Sequence, residues 1–304
     1  MSIVAQAEQY LEMRRKLGFA LRIEGEELLR FARYTERVGH KGPLTVEIAL
    51  QWAQQTPSGS RIYHARRLDV VRRFARYIKL SIPETEIPQE GILGSSYRRI
   101  PPHIYSEEEV QNLITACRRL TPVNGIRPHT HATLFGLLSC TGIRISEALR
   151  LSINDFDPDR SMITVVEGKF HKARILPLHP SSVKTLVAYR DLRERRLPAT
   201  RAFFVTELGT SLKYLKVLMT FREIASDLGW SRDTRIHGLR HTFAVRRLLR
   251  WYSDGEDVHR RIGELSTYLG HCKVQDTYWY FSAVPELMAL AADRFEHYAE
   301  VRHG

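Results

Sequence analysis

A chain of 304 residues, 43% hydrophobic and 26% charged, is long enough to bury a sizeable core and suggests two domains. Lys and Arg number 46 against 34 Asp and Glu, a net charge of +12, so the expected partner is a polyanion: nucleic acid first, an anionic membrane second, with a merely basic soluble protein as the bland reading. Three scattered cysteines, Cys117, Cys140 and Cys272, without a CxxC pair, argue against a disulfide framework and for reduced thiols in the cytoplasm.

No run approaches ~18 uninterrupted apolar residues, so no membrane span is expected. The start, MSIVAQAEQYLEMRRK, lacks a basic stretch followed by an apolar core, so no signal peptide is evident. Residues 1–80 read as helical. Leu28, Leu29, Phe31, Ala32, Tyr34 and Val38 recur at helical spacing, and TVEIALQWAQQ forms a further helix closed by Pro57-Ser58-Gly59. In SRIYHARRLDVVRRFARYIKL, Val71, Phe74, Ala75 and Ile78 make an apolar stripe. Arg66, Arg67, Arg72, Arg73, Arg76 and Lys79 occupy much of the remainder. Most of these arginines have no glutamate four residues upstream, which favours a phosphate-contacting surface over a simply solvated face.

Prolines 83, 88, 101 and 102, with Gly91 and Gly94, prevent a long regular element over residues 81–105. This gives a helical domain over 1–90, a linker over 91–105 and a second domain over 106–304. Ser106-Glu107-Glu108-Glu109 is a capping box that opens the second domain. A helix from about His131 should end near Thr141, with Gly142 as its left-handed terminator. Arg144 then lies in a tight junction before a helix starting near Ser146. It is either a functional cation or a structural arginine paired with Glu147.

SMITVVEGKFHKARILPL has two β-rich runs, MITVV and ARILPL, and reads as an antiparallel ribbon with Lys169 and Lys172 near its turn. In RIHGLRHTFAVRRLL, His237, Arg240 and His241 share one side of a helix, where they can donate to one cluster of anionic oxygens. The spacing His-x3-His also suits a metal. However, Gly238 stands where a metalloprotease needs glutamate, and no carboxylate or cysteine cluster is near, so no metal is expected. In LSTYLGHCKVQDTYWYFSAVPELM, Gly270 should stop a helix and leave His271 exposed. Asp276 should cap a short helix that ends before Pro285. Tyr278 and Tyr280 point roughly 200° apart on that helix. Tyr278, on the face of Phe281, is expected to pack inward, with Tyr280 turned away. PELMALAADRFEHYAEV, with Leu287, Leu290, Ala291, Phe295 and Tyr298, forms a tail helix over 285–304.

Taken together, TGIRISEAL, GKFHKARILPL, HGLRHTFA, LGH and a tyrosine nine residues past that histidine resemble the tyrosine recombinase, or phage integrase, family over roughly residues 100–290. DTYWYFS looks like the corresponding stretch of some transposon integrases. The resemblance implies a mainly α fold with a small antiparallel β-ribbon, in a two-domain DNA-clamp architecture whose first domain is a core-binding domain. It implies site-specific cleavage and rejoining of double-stranded DNA through a covalent 3′-phosphotyrosyl intermediate, with no metal, cofactor or ATP. Carried over position by position, the site is Arg144, Lys169, His237, Arg240, His271 and Tyr280. Phe170 replaces a glycine frequent in the family's ribbon, which keeps Lys172 as a competitor for the lysine role.

The family also implies a tetramer on synapsed DNA with the C-terminal helix exchanged between protomers, partner recombinases in some systems, and a nucleoid-associated cytoplasmic location. A topoisomerase-like nicking and rejoining enzyme, or a catalytically silent DNA-binding protein, are the alternatives.

Overall fold

The computed structural model describes residues 2–56, 59–97, 101–166, 173–197 and 200–283, with side chains as far as Tyr280. The chain divides into two compact units, Met1–Ile100 and Pro101–Gly304.

The first unit is built from α1 (Ile3–Lys16), α2 (Arg22–Arg37), α3 (Val46–Gln54) and α4 (Arg61–Ile78). Side chains that accept orphan N–H groups start three of them: Ser2 for α1, Thr45 for α3 and Ser60 for α4. Their apolar stripes meet in one core of Leu28, Phe31, Trp52, Leu68, Val71, Phe74 and Ile78. Phe31 lies edge-on to Trp52 at 5.2 Å. Val38, expected on the α2 stripe, is instead exposed, because the helix ends at Arg37 and the core ends with it.

The basic helix α4 departs from the expected continuous outer face. Arg66, Arg73, Arg76 and Lys79 are exposed, but Arg67 and Arg72 are buried. Arg67 stacks on Trp52 at 3.9 Å, donates to Ala53 O and Thr56 Oγ1, and faces Glu27 at 3.5 Å. Arg72 pairs with Asp69 and donates to the carbonyls of Pro88 (2.8 Å) and Gln89 (2.9 Å). These two guanidiniums satisfy internal acceptors, so their assignment to a DNA-facing surface is corrected: they hold the unit together. The proline-rich segment after α4 is correspondingly well tied. Glu86 accepts from Val46 N at 2.7 Å, Leu93 O from Arg61 and Ser96 O from Arg66. Residues 91–97 therefore belong to the first compact unit.

The second unit opens with α5 (Glu107–Cys117), whose capping box is complete: Glu109 N donates to Ser106 Oγ (3.0 Å) and Ser106 N to Glu109 Oε2 (2.7 Å). Then come α6 (Arg127–Thr141), the one-turn α7 (Ile145–Ala148) and a 3-10 turn at Ile153–Asp155. The strands β1 (Phe156–Asp157), β2 (Met162–Val165) and β3 (Arg174–Pro177) form an antiparallel sheet in sequence order. Ile163 and Leu176 pair across β2 and β3 and are fully buried. Next are α8 (Pro180–Arg196), α9 (Tyr214–Asp227), α10 (Ile236–Ser253), α11 (Val258–Leu269) and α12 (Gln275–Ala283).

Helix α10 crosses two hydrophobic cores. Ile236 and Leu239 belong to a large one formed with α5, α6, α8, α9 and the sheet. Ala244, Val245 and Leu248 belong to a smaller one with Leu265 and Leu269 of α11 and Tyr280 of α12. No helix among the described residues is long and apolar enough to cross a membrane.

Candidate active site

Two helix ends create the site. Helices α6 and α11 both stop at a glycine in the left-handed region, Gly142 (φ 62°) and Gly270 (φ 68°). The last carbonyls of a helix lack intrahelical partners and sit at the negative end of its dipole, so they attract cations. Arg240, nearly fully buried on α10, donates to Gly142 O at 2.8 Å and to Leu269 O at 2.7 Å, thereby joining both ends. Arg144, immediately after α6, reaches across to Gly270 O at 2.7 Å. Each guanidinium is fixed by carbonyls, and its terminal nitrogens retain second N–H groups for an incoming anion.

A buried carboxylate sets the other side. Glu147 Oε1 accepts from Arg144 Nη1 at 2.8 Å, and Glu147 Oε2 accepts from the Arg144 backbone at 3.1 Å. Arg174 of β3 binds the same carboxylate with both forks, at 3.0 and 2.7 Å, and donates its Nε–H to Tyr268 O at 2.8 Å. Burial alone would raise the Glu147 pKa, but the hydrogen bonds and charge of Arg174, then of Arg144, outweigh it and hold the carboxyl down at about 2. A side chain at position 270 would lie 3.1 Å from Arg174 Nη1 and 3.3 Å from Arg144 Nη1, so close approach as well as φ selects glycine there.

The histidines and Tyr280 complete the cluster. His237, in the first turn of α10, keeps a solvent-facing edge, yet its pKa falls to about 4, through desolvation of the ring and then the charges of Arg240 and Arg144. His271 falls to about 4 for the same reasons. It is half-buried rather than exposed as expected, because its Nδ1 is held by Thr277 Oγ1 at 2.7 Å. His241 falls to about 3 through desolvation, then the charges of His237, Arg240 and His271. All three imidazoles are neutral at pH 7, so each can accept a proton. Tyr280 lies within electrostatic reach of Arg240 and Arg144. Its ring lies 5.5 Å from that of His241 and 6.3 Å from that of His271, the latter stacked at 24°. Burial raises the phenol pKa, opposed by Arg240 and Arg144, so in this state it holds its proton.

The short helix corrects two expectations. It begins at Gln275, so Asp276 lies in its first turn rather than capping it. Tyr280 is the inward tyrosine, 2% exposed, and Tyr278 the outward one, 42% exposed. Helical spacing fixed their opposition but not which of them faced the core.

Arg144, His237, Arg240, His271 and Tyr280 thus converge, each electrostatically coupled to one or more of the others. Lys169 and Lys172 lie outside the described residues, as does the tail helix 285–304. Arg66, Arg67, Arg72, Arg73, Arg76 and Lys79 belong to the first unit. Sequence reasoning passed over Arg174, Thr277 and the place of His241 beside Tyr280. A lone arginine inside the apolar run ARILPL was the one usable signal for Arg174. Among the described residues, no group of His, Cys, Asp and Glu is arranged to hold a metal ion. The cluster is suited to an anionic phosphorus centre: guanidinium forks for its oxygens, neutral imidazoles, and a phenol beside them.

The phage integrase family matches residues 104–286. A Sinorhizobium fredii protein named as an integrase/recombinase is 38% identical over 99% of this chain and 100% of its own length. The tyrosine recombinase XerC of Roseiflexus castenholzii is 29% identical over 71% of this chain and 66% of its own. Among solved structures, the Tn1549 transposon integrase in complex with circular intermediate DNA superposes with a TM-score of 0.70 at 15% identity, covering 97% of this chain and 100% of that one. With its family's motifs gathered around one buried tyrosine, this chain belongs to the phage integrase family, the tyrosine recombinases.

Proposed function

We propose that the protein cuts and rejoins DNA strands at specific sites, with Tyr280 as the nucleophile. The observation that carries this reading is the burial of Tyr280 beside Arg240, a guanidinium already fixed by two helix-end carbonyls, with the tyrosine ring stacked near that of His271. Arg144 and Arg240 bind the non-bridging oxygens of the scissile phosphate, and His271 donates a further hydrogen bond. As the phosphorane forms, extra negative charge develops on those oxygens, and fixed guanidiniums stabilise it without reorganising. His237, neutral and beside the site, accepts the phenolic proton. The Tyr280 oxygen bonds to phosphorus while the bond to the 5′ oxygen breaks, and Lys169 protonates that departing oxygen. The product is a 3′-phosphotyrosyl linkage and a free 5′-hydroxyl. The reverse attack by a 5′-hydroxyl rejoins a strand with no external energy source.

In this reading the first unit grips the DNA backbone through the exposed Arg66, Arg73, Arg76 and Lys79, while Arg67 and Arg72 keep their structural partners. Two copies on each of two sites assemble as a tetramer, with the tail helix 285–304 docking on a neighbour. The relatives named as integrases and recombinases favour recombination over topoisomerase-like relaxation or silent DNA binding.

The test is a nicked suicide duplex carrying the cleavage site. Tyr280→Phe should yield no covalent adduct while binding DNA as the parent does. An adduct trapped on that variant would place the nucleophile elsewhere. Lys169→Ala should cleave slowly and recover on a substrate with a 5′-bridging sulfur, which leaves without protonation. Recovery from Lys172→Ala alone would move the acid to Lys172.

A further inference from the structure

Arg174 is the guanidinium of this cluster to which no chemical step has been given. Its fork is turned to Glu147, with both terminal nitrogens on that carboxylate and Nε on Tyr268 O. Its importance lies in the charge of its partner. Glu147 is 1% exposed and also holds Arg144. Without Arg174, Glu147 and Arg144 would form a one-to-one buried pair, electrically neutral and drawn together in a medium of low dielectric. With Arg174 present, two guanidiniums share one carboxylate, and the trio keeps a positive charge beside Arg240. The same arginine fastens β3 to the last turn of α11, next to Gly270, the residue whose carbonyl orients Arg144.

We propose that Arg174 is a positioning residue that offsets Glu147, so that Glu147 aims Arg144 at the phosphate without neutralising it. The proposal rests on the strand-transfer reading above and adds a requirement to it: the carboxylate that orients the phosphate-binding arginine must itself be counterbalanced from the ribbon. The structure supplies both halves, since Arg144 and Arg174 flank Gly270 as like charges and only Glu147 lies between them as a counter-charge among the described residues.

The experiment is single-turnover cleavage of the nicked suicide duplex by the full chain, with DNA affinity and thermal unfolding measured in parallel. Arg174→Gln should slow cleavage about a hundredfold, the scale of losing one oxyanion donor, with DNA affinity little changed. The double variant Glu147→Gln/Arg174→Gln should cleave at least about tenfold faster than Arg174→Gln, because the neutralising carboxylate leaves together with its counter-charge. A purely structural arginine predicts the opposite, a double variant no faster than the single. That result, or Arg174→Gln cleaving at the parental rate, overturns the proposal.

If Arg174→Gln does not fold, Arg174→Lys decides. It keeps the charge and loses the fork, so a folded variant within about tenfold of the parent supports the charge account, and a larger loss overturns it. A parent protein that forms no adduct at all would instead refute the strand-transfer reading, whatever Arg174 does.

Discussion

The two units use buried arginines for opposite ends. In the first, Arg72 pairs with Asp69, and Arg67 faces Glu27, a carboxylate it shares with Arg30, which also reaches Glu26; both buried arginines donate to carbonyls, and Arg67 also to a hydroxyl while stacking on an indole face. Charge is balanced locally, and the result is a fastened helix. In the second, Arg144 and Arg174 share one carboxylate, Glu147, while Arg240 beside them is held by neutral backbone oxygens. Charge is left over, and it faces Tyr280, the one fully buried phenol of the small core among the described residues. Burial of an arginine therefore does not by itself separate scaffold from site: Arg193, fully buried, is held by the carbonyls of Ala202 and Thr200 away from the cluster.

That contrast can be broken at several points. The largest effect belongs to Arg240→Lys, which keeps the charge and loses the fork that spans Gly142 O and Leu269 O. Cleavage of a suicide substrate should fall about 10²- to 10³-fold. Parental rates from this variant would mean that charge alone suffices. Arg72→Ala tests the other region. It should lower the unfolding free energy by about 3 kcal/mol, because Asp69 is left without its partner, while DNA already bound is cleaved at the parental rate. Denaturant unfolding and single-turnover cleavage on the same sample separate the two effects.

Acid should act on the second unit before the first. His237, His241 and His271 have folded pKa values of about 4, 3 and 4, below the ordinary 6.5. Between those values the unfolded chain binds more protons, so stability is intact above pH 6.5 and declines as the pH falls toward 4. Glu147 extends the decline. Its contribution is present above 4.5 and is lost as the pH falls toward about 2. His241→Asn should flatten the upper part of this profile in a thermal-melt series. An unchanged slope would show that the ring is not kept neutral. The smallest effect is expected from Arg73→Ala or Arg76→Ala: unchanged unfolding, a few-fold weaker DNA binding, and a salt dependence reduced by about one unit in slope.

Local signals were legible wherever the partner of a group lay within a few residues. Ser106 and Glu109 announce their own capping box. Gly142 and Gly270 announce helix ends, and MITVV and ARILPL announce a ribbon. Arg144, His237, Arg240, His271 and Tyr280 were picked out for a different reason, the family resemblance, and the structure brings these five together, while Lys169 lies outside the described residues. What stayed hidden depended on distant chain. Arg72 reads as a surface cation until Pro88 and Gln89 fold back over it. Arg174 reads as a strand residue until α7 presents Glu147. The two tyrosines of α12 show the limit most directly. A rotation of about 100° per residue sets them on opposite sides, but only the placement of α11 and α10 decides which side is the interior.

The passage of α10 through two cores has a consequence for how the protein loosens. Ile236 and Leu239 anchor its start in the larger core, while Leu248 packs with Leu265, Leu269 and Tyr280 in the smaller. Regions with less buried apolar surface open first and as units. Opening of the small core releases Tyr280, His271 and the carbonyls of residues 269 and 270 in one event, and leaves Arg240 attached to Gly142. In amide hydrogen exchange, α11 and α12 should lose protection together, ahead of the first turns of α10. In the proposed reading, a partly opened molecule then keeps Arg240 on Gly142 while Tyr280 is withdrawn, so the breathing of this fold would not lead to strand cleavage.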